Sequence, residues 1–551
     1  MKKGELVFVP FPGVGHIVSS LEMAKHLVDQ DHRLSISILI IKMSGFDSPN
    51  KSYMQSLGSI SERITFIELP EDHKEAQSFR NSNPIQFINS FFENLKPYVR
   101  NAVKNLIDSF STRSDSPTLA GLVIDMFCTA MIDVADEFGV PSYVFFTSGA
   151  GFLRLVTHLE SQSTHQNKDI TEYKDQPDAE LIIPGFFNPV PLKVLPDVLL
   201  DKEARPLVFG QYKDMKRTKG FLVNTFMELE SNMIESLIED KLIPPIYPVG
   251  PIINLNPSQG DKQLGGTDHK EANIVTWLDS QPISSVVFLC FGSMGSFDED
   301  QVKEIAKGLE MSGVRFLWSL RKPPQKGESI VPKEFADLNE VLPEGFLDRT
   351  AEVGKVIGWA PQVTILAHPS VGGFVSHCGW NSTLESLWFG VPIATWPLYA
   401  EQQINAFKLV KEFRLAVEIR LDYKKSNYNR SDHVENQAEI LIVKAEEIEL
   451  GIRRVMEADN DIRKRVKEIS EKGKKALLEG GSSYTSLCRF ITDVCFIKYI
   501  NTDKDRERMD IGKKVVAYKG QSNDSRELNV NQLHLKELGL GSAVDPKDNL
   551  L

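Results

Sequence analysis

Two side chains in the first quarter of the sequence have the types and positions needed for acid–base chemistry. His16 follows an apolar run and a Gly13-Val-Gly15 turn, and Asp125 ends a second apolar run. Carboxyl ends of parallel strands meet at one sheet edge, where open α/β folds bind ligands. A carboxylate paired with histidine fixes the imidazole tautomer and stabilises the imidazolium formed on proton uptake. The simpler alternatives are a backbone-satisfied His16 at a helix start and an Asp125 that caps the following helix.

The Gly13-Val-Gly15 turn could instead open a dinucleotide-binding site. The third glycine of that pattern is replaced by Val18, and the second strand ends at Ile41-Lys42 without an acid to hold a ribose hydroxyl. The sequence therefore disfavours NAD binding.

Composition restricts the class of protein. The 551 residues predict two domains, and the net charge of −12, with no Lys/Arg stripe, disfavours a nucleic-acid or anionic-membrane partner. The five scattered cysteines indicate a reducing compartment rather than disulfides or a zinc site. No signal peptide or spanning segment is found, so we expect a cytoplasmic protein, and we expect a monomer.

Strand-length apolar runs alternate with helical patterns, which predicts two doubly wound parallel sheets with a cleft between them. The predicted strands of the first half are Leu6–Phe11, Ser35–Ile41, Ile64–Leu69, Leu119–Asp125, Ser142–Phe146 and Phe221–Thr225, and those of the second are Val286–Phe291, Phe316–Ser319, Lys355–Gly358, Gly373–Ser376, Pro392–Trp396 and Ala416–Ile419. The predicted domains are residues 1–253 and 271–494, joined by a polar linker at 254–270 and followed by a poorly ordered tail at 495–551. We expect the last helix before the tail to return to the first domain.

Two polar insertions, Lys322–Glu340 and Asp422–Gln437, have the composition of surface loops. An amphipathic helix is predicted at Ala445–Glu457. Two Asp-x-Asp strings could suggest a metal site, but the one at Asp298 suits an acidic helix start and the one at Asp459 a turn after a helix.

The stretch from Trp359 to Gln402 gathers many candidate ligand-binding groups. We predict a strand ending at Ser376, a turn beginning at His377, and a helix over Thr383–Phe389 whose start would bind an anion such as a diphosphate. Trp359 could stack a nucleobase, and a second Gly/Ser turn, Cys290–Ser296, would present further donors. Each feature alone has an ordinary structural alternative, but all of them would face one sheet edge.

This stretch resembles the C-terminal signature of plant family 1 UDP-dependent glycosyltransferases from its first Trp to its last Gln. Likeness to the family extends over roughly residues 4 to 494 and includes "VPFPGVGH", "VIDMF", "FFTSGA", "GFLVNTFMELE" and "LPEGF". The resemblance implies the GT-B fold, in which two Rossmann-like domains face each other across a cleft. It also implies that His16 and Asp125 are the catalytic dyad.

The resemblance assigns UDP-sugar contacts by position. Trp359 would stack the uracil and Ala360 would contact its edge; Gln362 and Glu385 would bind the ribose. The pyrophosphate would be held by Ser293 and by the turn and helix start of His377, Gly379, Asn381 and Ser382, and the sugar by Thr147, Trp380, Glu401 and Gln402. A closing Gln is associated with glucose, so UDP-glucose is the expected donor.

The resemblance implies inversion at the sugar: His16 removes the acceptor proton, and the acceptor oxygen attacks the anomeric carbon opposite UDP. Neither a cofactor nor a metal is expected, since the helix start would stabilise the leaving diphosphate. The acceptor is expected to be a hydrophobic plant metabolite, a flavonoid or other phenolic first, with a lignan or triterpenoid as alternatives. Its predicted pocket consists of Gly15, Phe127, Phe146, Leu195 and Tyr399. A nucleotide-sugar epimerase or hydrolase and a non-catalytic binding protein remain the rival functions.

Overall fold

Residues 1–494 form one compact unit in the computed structural model. The residues that the structure describes are 3–43, 61–70, 84–110, 116–166, 169–173, 176, 178–255, 268–324, 331–424 and 441–496.

The first half of the chain builds a seven-stranded sheet in the order β3-β2-β1-β4-β5-β8-β9. Every neighbouring pair in this sheet is parallel. Its strands are β1 Gly4–Val9, β2 Leu34–Ile40, β3 Ile64–Glu68, β4 Thr118–Asp125, β5 Ser142–Phe146, β8 Phe221–Val223 and β9 Ile246–Pro248, and the short β6 Glu180–Leu181 and β7 Val190–Pro191 pair separately. The strand order reverses between β1 and β4, which opens a crevice at their carboxyl ends.

The second half builds a six-stranded parallel sheet in the order β12-β11-β10-β13-β14-β15. Its strands are β10 Val286–Cys290, β11 Arg315–Ser319, β12 Gly354–Ile357, β13 Val371–Ser376, β14 Ile393–Thr395 and β15 Ala416–Glu418. The reversal here falls between β10 and β13, so this sheet has an equivalent crevice. The two parallel sheets confirm the predicted α/β class with two Rossmann-like domains.

Helices connect the parallel strands, as crossover connections require. In the described part of the chain they are α1 Val14–Gln30, α2 Pro84–Phe110, α3 Met131–Glu137, α4 Ala150–Gln166, α5 Asp197–Leu200, α6 Ala204–Met215, α7 Met227–Glu239, α8 Asp268–Asp279, α9 Glu299–Ser312, α10 Phe346–Thr350, α11 Gln362–Leu366, α12 Trp380–Phe389, α13 Gln402–Phe407, α14 Ala445–Met456, α15 Asp461–Leu477 and α16 Ser482–Phe496.

The spacing of apolar residues along the sequence explains why these segments form strands or helices. Strands such as β5 and β10 are buried at every position because helices cover the sheets, and their apolar runs are therefore continuous. Helix α14 instead buries one stripe, Ile448, Ile452 and Val455, at helical spacing.

The predicted strands correspond to observed strands, with ends that differ by at most two residues. Strand β9 was missed because Ile246-Tyr-Pro248 is short and contains proline. Helix α12 begins at Trp380, three residues before the predicted start, because Gly379 and not Ser382 occupies the N-cap position.

Of the predicted linker, residues 256–267 lie outside the described residues, and Asp268–Lys270 begin α8. The predicted tail lies outside the described residues from 497 onward. The predicted loops at 322–340 and 422–437 lie outside them at 325–330 and 425–437.

Helix α16 contacts the first sheet. Tyr247 Oη of β9 donates to Asp493 Oδ2 at 2.7 Å, and Arg489 donates to the carbonyl oxygen of Ile246. The ring of Phe490 lies 5.0 Å from that of Tyr143 and 5.4 Å from that of Tyr247 between centroids. Helix α16 therefore covers the β9 edge of the first sheet.

Candidate active site

A cavity of about 790 Å³ lies between the carboxyl edges of the two sheets and is lined by residues of both halves. This volume suits a drug-sized ligand or larger. The predicted site residues on its wall are Gly15, His16, Phe127, Thr147, Ser293, Trp359, His377, Gly379, Trp380, Asn381, Ser382 and Glu401.

His16 and Asp125 form a hydrogen-bonded pair. His16 lies in the first turn of α1 and Asp125 ends the neighbouring strand β4, and His16 Nδ1 lies 2.8 Å from Asp125 Oδ2. Because a carboxylate only accepts, Nδ1 carries the hydrogen and Nε2 is left as the basic atom. The other oxygen of Asp125 accepts from the backbone N–H of Phe127 at 3.0 Å. The carboxylate, 1% exposed, orients the imidazole and does not act as a simple helix cap.

Charge around His16 favours its protonated form. Burial alone would lower the pKa of His16, but the charge and hydrogen bond of Asp125 and the charge of Glu401 together raise it above 6.5. Burial raises the pKa of the Glu401 carboxyl on the opposite wall. The hydroxyl of Thr147 lies 3.0 Å from His16 Nδ1, so Thr147 contacts the dyad as well as the cavity.

Aromatic rings surround the imidazole. Phe11 and Phe127 lie 5.2 Å and 5.4 Å from the His16 ring, and 5.2 Å from each other, between centroids. The sequence analysis missed Phe11, although it ends the apolar run before the turn. The cavity wall beside His16 is therefore suited to a flat apolar molecule.

The opposite wall begins at the N-terminus of α12. Its first N–H groups belong to Trp380, Asn381 and Ser382, and such groups favour anions. His377 packs against glycine backbone: a Cβ built on either Gly292 or Gly379 would lie 2.5 Å from its Nε2. Gly292 also has φ of +77°, which favours glycine.

His377 differs from His16 in charge state. Burial lowers the pKa of His377 to about 4, so its imidazole is neutral near pH 7. A neutral imidazole still has one N–H to donate.

Asn381 joins the two halves. Its Nδ2 donates to the carbonyl oxygen of Gly15 at 3.1 Å, one residue before His16. The start of α12 is thus directly hydrogen-bonded to the turn that precedes His16.

Trp359 is positioned by residues that the sequence analysis missed. Its backbone N–H donates to Glu334 at 3.1 Å, and the guanidinium carbon of Arg321 lies 5.2 Å from its ring centroid. Val331 to Glu334 line the cavity, so part of the insertion predicted as a surface loop forms its wall. The polar composition of this insertion did not indicate which of its residues would line a cavity.

Several residues that were predicted to bind the UDP-sugar lie behind the cavity wall. Gln362 Nε2 donates to Ser382 Oγ at 2.8 Å and to Glu385 Oε2 at 2.6 Å, which joins the proposed ribose ligands to the helix start. Ala360 is buried next to Trp359. Gln402 is also buried, and its Oε1 accepts from the N–H groups of Leu398 and Tyr399 at 2.9 and 3.1 Å.

Three predicted acceptor-pocket residues are absent from the described wall of this cavity. Phe146 and Leu195 are fully buried in the core, where Phe146 packs against Tyr212 with 6.3 Å between centroids. Tyr399 packs against the core of the second sheet. The last position of β5 turns its side chain into the helix layer, which the strand pattern did not reveal.

The two Asp-x-Asp strings lie at the starts of helices. Asp298 is the N-cap residue of α9, and Asp461 begins α15. Within the described residues, no group of three or more His, Cys, Asp or Glu side chains could hold a metal ion. Among the same residues, no helix has the length and apolar character needed to cross a membrane.

Comparison with known proteins agrees with this geometry. Residues 239–427 match the family model for UDP-glucoronosyl and UDP-glucosyl transferase. UDP-glycosyltransferase 71A15 of Malus domestica is 55% identical over 495 residues, covering 90% of this chain and all of that protein. UDP-glucose flavonoid 3-O-glucosyltransferase 6 of Fragaria ananassa is 52% identical over 498 residues, covering 90% of this chain and 99% of that protein.

A solved structure gives the same result. Medicago truncatula UGT71G1 complexed with UDP-glucose is 42% identical, with a TM-score of 0.77, over 89% of this chain and 98% of that one. Identity at this level across nearly a whole enzyme, together with the parallel sheets and the cleft, establishes the family. The chain belongs to the plant family 1 UDP-dependent glycosyltransferases and has their GT-B fold.

Proposed function

We propose that the protein is an inverting glucosyltransferase that moves glucose from UDP-glucose to a hydroxyl of a hydrophobic plant metabolite, giving a β-O-glucoside. A flavonoid or another phenolic is the proposed acceptor class. The observation that carries the proposal is the 2.8 Å pair of His16 and Asp125 on a cavity that also contains a helix N-terminus.

In the proposed reaction His16 Nε2 takes the proton of the acceptor hydroxyl. The acceptor oxygen forms a bond to the anomeric carbon of glucose while the bond from that carbon to the diphosphate breaks, and UDP leaves with the electron pair. Asp125 stabilises the imidazolium that forms. A base positioned in this way typically contributes about 10²–10⁴-fold to the rate.

The leaving diphosphate is proposed to bind at the start of α12. The N–H groups of Trp380 to Ser382, the hydroxyl of Ser293 and neutral His377 would stabilise its growing charge. Because these donors can do the work of a divalent cation, we expect activity to persist in saturating EDTA.

We propose that UDP-glucose is held mainly by side chains of the C-terminal half. Trp359 would stack the uracil, and Gln362 and Glu385 would hold the ribose. The glucose would be held by Trp380, Glu401 and Gln402, with Thr147 of the N-terminal half. The Oε1 atom of Gln402 is already bound to backbone, so its amide nitrogen would donate to a sugar hydroxyl. UGT71G1, solved with UDP-glucose, supports this choice of donor.

The acceptor class is supported by two observations. The base lies among the rings of Phe11 and Phe127, which suits a flat aromatic acceptor. A relative with 52% identity is named a flavonoid 3-O-glucosyltransferase. No disulfide joins the five cysteines, all of which lie in the described part of the chain, and this is compatible with the proposed cytoplasmic location.

A screen of UDP-glucose against flavonols, flavones, lignans and triterpenoids, read by mass spectrometry, tests the proposal. We expect addition of one hexosyl unit to phenolic acceptors and a β-anomeric coupling in the product's proton NMR spectrum. Free glucose without glucoside would indicate a hydrolase, and an isomerised donor an epimerase. Donor binding without turnover across the whole panel would indicate a binding protein and contradict the proposal.

A further inference from the structure

A buried ion pair joins the two halves outside the cavity wall. Lys408, directly after α13, lies with its Nζ 2.9 Å from Glu230 Oε1 of α7, and both side chains are fully buried. A buried pair of this kind is weak evidence for stability, since desolvation opposes its Coulomb attraction. Its position therefore calls for another explanation.

Glu230 is fixed by the start of a helix. Its two oxygens accept from the backbone N–H groups of Ala150, at 2.7 Å, and Gly151, at 2.9 Å, which are the first two residues of α4. A carboxylate at a helix N-terminus is stabilised by the helix dipole. Glu230 thus gives Lys408 an immobile counter-charge.

Lys408 in turn contacts a residue of the cavity wall. Its Nζ lies 4.4 Å from the ring centroid of Trp380, within the range of a cation–π interaction. The indole N–H of Trp380 donates to the carbonyl oxygen of Asn224 at 2.6 Å. The ring is therefore held on its face by Lys408 and at its edge by the first half of the chain. Glu401, also on the wall, experiences the positive charge of Lys408.

Two glycines make room for this cluster. A Cβ on Gly149 would lie 2.8 Å from both Glu230 Oε2 and the Trp380 ring, and one on Gly151 would lie 2.6 Å from Lys408 Cδ. Both distances are shorter than real Cβ contacts, so a side chain at either position would displace the cluster. Gly149-Ala-Gly151 overlaps the "FFTSGA" stretch, for which the sequence analysis gave no physical reason.

We propose that Lys408, held by Glu230, is a positioning residue for the sugar end of the donor: it fixes Trp380 and places a positive charge near Glu401. This inference rests on the proposed function, because it assumes that Trp380 and Glu401 face the glucosyl unit. It predicts a defect confined to the sugar, since Lys408 contacts the ring of Trp380 and not its N–H. The contacts proposed for UDP are made by the Trp359 ring, by the side chains of His377 and Ser293, and by backbone N–H groups at the start of α12.

The test compares the dissociation constants of UDP and UDP-glucose by calorimetry, with kcat and KM measured beside them. Lys408→Met should weaken UDP-glucose binding and raise its KM about tenfold, with UDP affinity unchanged. Lys408→Arg should retain most of the affinity for UDP-glucose because arginine keeps the positive charge. Lys411→Met, which removes an exposed lysine three residues away, should behave as the wild type.

Two further variants keep the test informative if Lys408→Met does not fold. The double variant Glu230→Gln/Lys408→Met removes both buried charges, and Gly151→Ala crowds Lys408 without changing any charge. Gly210→Ala is the control for the latter, since its Cβ would meet open space. Each test variant should show the same selective loss for UDP-glucose.

Equal losses for UDP and UDP-glucose, or no loss in a folded variant, would overturn the inference. Failure of the proposed function is distinguishable, because the wild type would then bind UDP-glucose without forming glucoside. The two dissociation constants would still report on Lys408 in that case.

Discussion

Two histidines face the same cavity from opposite halves of the molecule. His16 follows β1 and His377 follows β13, and both lie at the carboxyl edge of a parallel sheet. His16 has two carboxylates near it, which raise its pKa above 6.5 in spite of burial. His377 packs between glycines, and burial lowers its pKa to about 4.

The difference shows that the partners of a histidine, and not its place in the fold, decide its chemistry. An imidazole beside Asp125 is stabilised as the cation that it becomes after taking a proton. An imidazole without a counter-charge stays neutral and can serve only as a hydrogen-bond donor or acceptor. The cleft thus has an imidazole paired with a carboxylate on one wall and a neutral imidazole on the other.

His16→Ala should have the largest effect. Removal of the base should reduce kcat by about 10²–10⁴-fold, while UDP affinity stays at the wild-type value. Single-turnover rates and calorimetric UDP binding measure the two quantities. Wild-type turnover in this variant would refute the role of His16.

Asp125→Asn should reduce the rate by roughly 10²-fold and also change its pH dependence. The wild-type rate should fall with decreasing pH as His16 is protonated, with a midpoint above 6.5. Loss of the Asp125 carboxylate leaves burial, which lowers the pKa of His16 by more than the charge of Glu401 raises it, so the midpoint should move to lower pH. A pH profile of kcat/KM that keeps its midpoint would show that Asp125 does not set this pKa.

Gly292→Ala should weaken UDP binding by about tenfold or more, because the added methyl group would lie 2.5 Å from His377 Nε2 and the residue has φ of +77°. Gly313→Ala is the matched control: its φ is +63°, but its Cβ would meet open space. Both variants should lose stability in thermal unfolding, and only the first should lose UDP affinity. Equal affinities would mean that His377 does not contact the phosphates.

His377→Gln should have the smallest effect, about two- to tenfold in UDP affinity, since one neutral hydrogen bond is exchanged for another. The ratio of wild-type to variant affinity should be constant between pH 6 and 8, because a histidine with a pKa of about 4 does not titrate there. A ratio that rises toward pH 6 would indicate a charged His377.

The sequence predicted the features that depend on strand order. His16 and Asp125 lie 109 positions apart, but His16 follows β1 and Asp125 ends β4, and adjacent parallel strands bring their carboxyl ends together. The stretch from Trp359 to Gln402 is local in sequence, so its residues could be placed on one edge without knowledge of the remaining chain.

Contacts that depend on tertiary packing between distant segments could not be predicted. Glu230 and Lys408 are 178 positions apart and each has the appearance of an ordinary helical charge. Glu334 lies in a polar insertion, and composition does not reveal which part of such a segment returns to the site. Asn381 was predicted as an anion ligand, and its bond to Gly15 appears only when both sheets are in place.

The contacts of α16 with the first sheet have a consequence for biosynthesis. Strand β9 leaves the ribosome more than 200 residues before the helix that covers it. At about 5–20 residues per second, the nascent chain would expose the rings of Tyr143 and Tyr247 for tens of seconds. Until α16 is synthesised, this uncovered edge is open to a chaperone or to pairing with another chain.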